Sequence, residues 1–147
     1  MATTRRAEAT WSGDLIGGNG KVTAATTRVF ADLPTTWKAR TEEADGVTSP
    51  EELLAAAHAS CFSMAISNNL AKAGTPPTRV SVAVEVTADK TDSGWTVQRA
   101  DITVSGVVPG ATQESFQEAA EGAKDGCPIS KAIKGNVELS VEAKLEG

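Results

Sequence analysis

The sequence has few histidines and cysteines: it contains one histidine and two cysteines, with neither a CxxC nor an HxxxH pattern. His58, Cys61 and Cys127 are irregularly spaced, which makes a metal site a weak prediction. A chain without a secretion signal has little use for a structural disulfide. The two cysteines therefore indicate redox chemistry or metal binding, and the redox interpretation is the stronger.

The chain also lacks long apolar runs and a surplus of basic residues. No run approaches the length of a membrane span, and the first residues lack the apolar stretch of a signal peptide. The formal net charge of −5 argues against a nucleic acid or an anionic membrane as partner. We therefore expect a cytoplasmic protein, in a compartment that keeps thiols reduced.

The composition is that of an ordinary globular protein. The chain has 147 residues, of which 40% are hydrophobic and 22% charged, and it shows no repeat or linker. This length is enough for one domain with a modest core. We expect a single domain over residues 1–147.

A long helix is the clearest predicted element. Ser49 is a suitable N-cap, Pro50 fits the first helical position, and Glu52 completes a capping box. The helix should continue to about Ala73, with Gly74 as its stop. Its apolar residues occupy more than one face, which predicts burial nearly all round and a second subunit that helps to enclose it.

Three strands are predicted before this helix. Residues 7–14 form the first, and the glycines of residues 17–20 supply the positive φ angles of a hairpin turn. Residues 21–30 are rich in Val and Thr and form the returning strand. A third strand is predicted over residues 36–43.

The second half of the chain predicts a hairpin, two helices and a closing strand. Valines alternate from Val80 to Val86, and a strand over residues 95–107 returns with an irregularity between Val97 and Ile102. Helices over 113–124 and 128–134 precede a strand with apolar residues at alternate positions from 137 to 145. The element order βββ-α-ββ-αα-β predicts an α+β fold with mostly antiparallel strands.

Cys61 lies about three turns into the long helix. The helix dipole has little effect there, and burial among leucine and alanine raises the pKa of a thiol. A reactive Cys61 therefore needs a cation from elsewhere, and Arg40 on the predicted strand is the best candidate. A buried arginine needs a carboxylate partner, which Glu51 or Glu52 can supply. The alternative is that Cys61 is an inert core cysteine.

Cys127 and His58 are the other candidate residues. Cys127 precedes Pro128, so its sulfur can occupy a helix N-cap, unless it is a fortuitous cysteine at a helix junction. Together with Cys61 it makes a scheme of nucleophile and resolving cysteine possible. His58 precedes Cys61 by three residues and can be a catalytic partner, a metal ligand or a plain structural histidine.

Three segments resemble the OsmC/Ohr family of bacterial hydroperoxide reductases. In chain order they read ATWSGD at 9–14, SPEELLAAAHASCFSMA at 49–65 and AKDGCPISKA at 123–132. The segment AAHASCF at 56–62 is similar to the osmotically inducible OsmC branch. The Ohr branch usually has a Gly-Tyr pair before the cysteine, and this chain contains no tyrosine.

This resemblance implies an OsmC-like fold, with mostly antiparallel sheets wrapped around long central helices in an intertwined homodimer. The active sites would lie at the subunit interface. Cys61 would be the peroxidatic cysteine and Cys127 the resolving one, joined in a Cys61–Cys127 disulfide. Glu51 would form an ion pair with the active-site arginine, which is Arg40, with Arg28 as the competing candidate.

The resemblance further implies a thiol-dependent peroxidase without metal, flavin or haem. Organic hydroperoxides, and hydrogen peroxide as a further candidate, would be the substrates. A small dithiol or a lipoylated protein would be the reductant. Two alternatives stay open: a non-catalytic stress-related binding protein with an apolar pocket, and a Cys–His hydrolase that uses His58 as its base.

Overall fold

A computed structural model of the protein describes residues 1–147 and confirms the predicted α+β fold. The contacts divide the chain into two compact units, Met1–Leu53 and Leu54–Gly147. No helix combines the length and the apolarity needed to cross a membrane. The elements are, in order, β1 (Glu8–Ser12), β2 (Asn19–Thr23), β3 (Leu33–Thr35), α1 (Trp37–Thr41), α2 (Pro50–Lys72), β4 (Arg79–Thr91), β5 (Gly94–Val107), α3 (Gln113–Gly126), α4 (Pro128–Ile133) and β6 (Glu138–Leu145).

The first unit contains an antiparallel sheet in the order β1-β2-β3. The predicted hairpin is present, but the role predicted for its glycines is wrong. The positive φ angle of this loop, +90°, belongs to Gly13, whereas Gly18 and Gly20 have ordinary φ angles. Position 20 requires glycine because there is no room for a side chain: a Cβ would lie 2.6 Å from Thr35 Oγ1 and 2.7 Å from the Trp11 ring.

The strand predicted over residues 21–30 is shorter than expected. Strand β2 ends at Thr23, and a turn follows in which the amide of Arg28 donates a hydrogen bond to the carbonyl of Ala24. Arg28 has a φ of 56°, which is outside the range of an extended strand. The backbone therefore leaves the sheet before Phe30.

The strand predicted over residues 36–43 is also wrong. Strand β3 ends at Thr35, and helix α1 follows directly. Thr36 caps this helix, since its Oγ1 accepts a hydrogen bond from the Ala39 amide at 3.0 Å. Arg40 consequently lies on a helix and not on a strand.

Helix α2 begins at the predicted Pro50 and ends within one residue of the predicted end. Ser49 Oγ accepts a hydrogen bond from the Glu52 amide at 3.2 Å, and the Glu52 carboxylate accepts one from the Thr48 hydroxyl at 2.6 Å. Gly74, with a φ of +89°, lies just beyond the helix end. The Ser49 N-cap, Pro50 and Gly74 are confirmed as the end signals of α2, but the predicted capping box is only half formed, because the Glu52 carboxylate bonds to Thr48 and not to the Ser49 amide.

One face of α2 is buried within the second unit. Its members recur every four residues, which places them on one stripe of the helix. Met64, on another face, is 70% exposed in the single chain. The predicted burial thus holds for one face of the single chain, and cover of the remainder by a second subunit stays a prediction. The buried stripe consists of His58, Phe62, Ile66 and Leu70.

The second unit has a sheet in the order β4-β5-β6. Strands β4 and β5 form an antiparallel hairpin, and β6 pairs with β5 in parallel. Arg99 pairs with Thr87 and Val97 pairs with Ala88, so Gln98 is the extra residue of a bulge. The irregularity predicted between Val97 and Ile102 is confirmed.

Helices α3 and α4 also lie where the sequence predicts them. Helix α3 has a full capping box: Thr112 Oγ1 accepts from the Ser115 amide at 3.1 Å, and Ser115 Oγ accepts from the Thr112 amide at 3.0 Å. One apolar core is formed by helices α2 and α3 and strands β5 and β6, and it includes Cys127. Its members include Phe62, Ile66, Leu70, Ile102, Val104, Val108, Phe116, Ala120, Ala123, Cys127 and Ala143.

Replacing Gly20 by alanine should destabilise the protein by about 1–3 kcal/mol, because the added methyl group overlaps Thr35 and Trp11. Gly17→Ala is the matched control, since its Cβ would meet only the end of the Asp14 side chain, at 3.1 Å. The control should cost about 0.5 kcal/mol or less. Urea unfolding of both variants measures the difference, and equal stabilities would contradict the close approach at Gly20.

Candidate active site

The two cysteines meet in the second unit. Cys61 Sγ and Cys127 Sγ lie 2.8 Å apart, although 66 residues separate them in the chain. Both are free thiols, and a disulfide would require about 2.05 Å. Cys61 projects from α2, and Cys127 occupies the predicted N-cap position of α4, although its sulfur makes no capping hydrogen bond. The two sulfur atoms would therefore need to move less than about 1 Å closer to form a disulfide.

The surroundings of Cys61 act on its pKa in opposite directions. Burial raises the pKa of the Cys61 thiol, as the sequence predicts, and the adjacent Cys127 thiol raises it further. A hydrogen bond with the backbone of Ile129, in the first turn of α4, lowers it. The net direction is upward, so the second unit by itself favours the thiol over the thiolate.

A cavity of about 380 Å³ opens beside the sulfur pair. Cys61 is at its wall, while Cys127 is fully buried behind it. A small molecule in the cavity would therefore meet Cys61 first. The other residues that line it are Met64, Ala65, Asn68, Asn69, Gly122, Ala123, Gly126 and Pro128.

His58 makes its hydrogen bond to Ser130 and not to a cysteine. His58 Nε2 and Ser130 Oγ are 2.7 Å apart, and both residues are fully buried. The Nδ1 atom of His58 has no hydrogen-bond partner. Burial lowers the pKa of His58, so the ring stays neutral near pH 7. This geometry favours the structural interpretation of His58 over the Cys–His dyad.

Arg40 is paired with Glu51 in the first unit. Arg40 Nε donates to Glu51 Oε1 at 3.0 Å and to Oε2 at 3.3 Å. The Glu51 side chain is 11% exposed, and the Arg40 side chain is 33% exposed. The Arg40 guanidinium also lies 5.8 Å from the centre of the Trp37 ring, within cation–π range. The carboxylate partner that an arginine would need is therefore Glu51.

The Arg40 side chain lines a second cavity, which belongs entirely to the first unit and has a volume of about 340 Å³. Arg28, the competing arginine, is exposed in the turn after β2. The walls of this cavity are mainly apolar and include Ala9, Trp11, Leu15, Val22, Trp37, Pro50 and Leu53.

Sequence reasoning missed two residues of these sites. Ser130 was not singled out, although it follows Cys127 by three residues and lies on the same helix. Trp37 was not linked to Arg40, because three residues apart on a strand would have placed them on opposite faces. The N-cap signal of Thr36 would have predicted helix α1 and brought the two together.

Comparison with known proteins agrees with the sequence motifs. The family model described as OsmC-like protein matches residues 42–142. The chain belongs to this family. Peroxiredoxin OsmC of Escherichia coli (strain K12) is 35% identical over 144 residues, which cover 98% of this chain and 99% of the relative. Organic hydroperoxide resistance protein OhrA of Bacillus subtilis (strain 168) is 28% identical over 132 residues, covering 86% and 88%.

Solved structures of OsmC/Ohr proteins share the fold. The crystal structure of the organic hydroperoxide resistance protein OhrB of Bacillus subtilis superposes with a TM-score of 0.74 at 26% identity, covering 95% of this chain and 98% of the other. An OsmC protein from Legionella pneumophila gives a TM-score of 0.69 at 25% identity, covering 97% and 99%. The predicted OsmC-like fold class is thereby confirmed.

The buried His58 should make folding sensitive to mild acid. Because burial lowers its pKa from 6.5, the unfolded chain takes up a proton as the pH falls through that value, whereas the folded chain takes it up only at a lower pH. Stability present above pH 6.5 is therefore lost below it, by at most about 1.4 kcal/mol per pH unit. Urea unfolding at pH 7.5 and 5.5 should show a larger loss in the native protein than in His58→Gln. Equal losses would mean that His58 titrates normally in the folded state.

Proposed function

We propose that the protein is a cysteine-based peroxidase that reduces organic hydroperoxides to alcohols. The observation that carries this proposal is the pair of free sulfurs 2.8 Å apart, with Cys61 on a cavity wall and Cys127 behind it. Relatives named peroxiredoxin OsmC and organic hydroperoxide resistance protein support the same chemistry. The protein is an oxidoreductase that acts through thiols.

The reaction begins at Cys61. Its thiolate attacks one oxygen of the hydroperoxide, an S–O bond forms and the O–O bond breaks. The other oxygen leaves with the organic group and takes up a proton, which gives the alcohol. Cys61 is oxidised to the sulfenic acid, and the hydroperoxide is reduced.

Cys127 resolves the sulfenic acid. Its sulfur attacks Cys61 Sγ, the S–S bond forms and the S–O bond breaks, and the oxygen leaves as water with the proton of Cys127. The resulting Cys61–Cys127 disulfide protects Cys61 from further oxidation. A dithiol, either a small molecule or a lipoylated protein, then restores both thiols by exchange.

Arg40 would provide the cation that a Cys61 thiolate needs. It would stabilise the Cys61 thiolate and the negative charge that develops on the leaving oxygen. Glu51 holds the guanidinium through Nε, so the opposite edge of Arg40 is the one that would donate to the peroxide. The family resemblance, with active sites at the interface of a homodimer, is the basis for bringing Arg40 to Cys61.

The apolar cavity beside Arg40 supports an organic substrate. A cavity of about 340 Å³ lined by tryptophan and aliphatic side chains can accept the carbon chain of a hydroperoxide, with the peroxide group toward the arginine. Hydrogen peroxide would gain nothing from these walls. We place the reaction in the cytoplasm, where thiols are kept reduced.

The same cavity favours one alternative, a non-catalytic protein that binds an apolar ligand. The two functions differ in their need for Cys61. A binding protein would retain its ligand in the Cys61→Ser variant and would leave hydroperoxides intact.

Cys61→Ser should abolish consumption of tert-butyl hydroperoxide with dihydrolipoamide as reductant, because serine cannot form a sulfenic acid. Cys127→Ser should permit one turnover and then accumulate the sulfenic or sulfinic acid of Cys61, detected by mass spectrometry. Full activity of Cys61→Ser would refute the mechanism. Clean recycling of Cys127→Ser would show that another thiol resolves the intermediate.

Arg40→Met should raise the pKa of Cys61 and slow peroxide consumption by about a hundredfold, because the charge that stabilises the thiolate and the leaving oxygen is lost. Arg28→Met is the matched control and should retain native activity. The pH profile of iodoacetamide reaction with Cys61 reports the pKa. An unchanged profile in Arg40→Met together with a shifted one in Arg28→Met would assign the activating cation to Arg28.

A further inference from the structure

A second, buried contact joins the helices that carry the two cysteines. His58 precedes Cys61 by one turn of α2, and Ser130 follows Cys127 by one turn of α4. His58 Nε2 lies 2.7 Å from Ser130 Oγ, and neither residue is exposed to solvent. The peroxidase chemistry proposed above uses neither side chain.

Helix α4 is short and is held in the fold by its buried N-cap Cys127, by Ile129 packed against the core, and by this hydrogen bond. It has six residues, and Ser130 is its one buried residue. A helix this short has no stability of its own in water, so its position depends on the contacts it makes. Its N-cap residue, Cys127, and the Ile129 backbone that contacts Cys61 move with it.

The surroundings of His58 indicate which ring nitrogen carries the proton. Nδ1 has no partner, and a buried N–H donor without an acceptor is a rarer and costlier arrangement than an unpaired acceptor. The proton therefore belongs on Nε2, which donates to Ser130 Oγ. In this tautomer the ring makes a fixed link between the helices and is not a base for Cys61.

We propose that His58 and Ser130 are positioning residues whose hydrogen bond holds the first turn of α4 against α2, so that Cys127 Sγ stays within reach of Cys61 Sγ. This inference rests on the proposed function. It assigns the pair to the second half of the reaction, in which Cys127 attacks the Cys61 sulfenic acid and water leaves.

The physical reason is the effective concentration of one sulfur at the other. Disulfide closure within a chain is fast when the attacking sulfur is already held in contact with its target. If α4 is free to move from α2, Cys127 spends less time near Cys61 and closure slows. The sulfenic acid then survives long enough to react with a second peroxide.

The test is the redox equilibrium of the two cysteines in glutathione buffers, which requires no peroxide. In Ser130→Ala and His58→Leu, the ratio of Cys61–Cys127 disulfide to dithiol should fall about tenfold or more relative to the native protein. His58→Gln should recover much of the loss, because its amide can still donate to Ser130. Double substitution of His58→Leu and Ser130→Ala should cost no more than either change alone.

Ile66→Val is the control, since it loosens the same buried face of α2 without touching the hydrogen bond. Its disulfide ratio should match that of the native protein. An unchanged ratio in Ser130→Ala would overturn the proposal, and so would an equal fall in Ile66→Val. If the native protein does not consume peroxide, the proposed function is refuted instead. The two failures are distinguishable, because the ratio of disulfide to dithiol in glutathione buffer does not depend on peroxide consumption.

A measurement on the native protein covers the case in which a variant does not fold. His58 is the only histidine, so ¹⁵N-histidine labelling gives the NMR signals of this ring alone. We expect the Nε2–H tautomer at pH 8, with protonation of the ring only at a lower pH than that of a free histidine. The Nδ1–H tautomer, or titration at the pKa of a free histidine, would show that the hydrogen bond to Ser130 is not the link proposed.

Discussion

The packing of one face of α2 into the apolar core of the second unit determines where both reactive sulfurs lie. Phe62, Ile66 and Leu70 fix the rotation of the helix, because they must face the core together. With that rotation set, Cys61 lies at the edge of the core. Cys127 is a fully buried member of the same core, and its sulfur comes within 2.8 Å of Cys61. The core is therefore the scaffold of the candidate active site.

The same burial that brings the sulfurs together opposes the chemistry proposed for them. A thiol in apolar surroundings holds its proton, and burial raises the pKa of Cys61 accordingly. The Ile129 backbone offsets part of this effect. An arginine can supply the remainder, and Arg40 has the necessary partner in Glu51. The proposed activation of Cys61 by Arg40 therefore asks the arginine to offset a pKa that burial raises.

The long elements were predictable from the sequence because each has signals at both ends. Helix α2 has Ser49 and Pro50 at its start and Gly74 beyond its end, and the sheet of the second unit has alternating valines. Helix α1 was missed because five residues are too few to show helical periodicity, and its threonine and tryptophan favour a strand. Strand β2 ends at Thr23, and the turn that follows contains a positive φ at Arg28, which a non-glycine residue does not signal in the sequence. The contacts of Cys61 with Cys127, and of His58 with Ser130, join residues 66 and 72 positions apart, which only the tertiary fold brings together.

The most direct test of this account is to treat the fully reduced protein with one equivalent of tert-butyl hydroperoxide and to analyse the products by mass spectrometry. The account predicts one equivalent of tert-butanol and a protein that has lost two hydrogen atoms, with the peptides that contain Cys61 and Cys127 joined by a disulfide. Unreacted hydroperoxide beside two free thiols would contradict it.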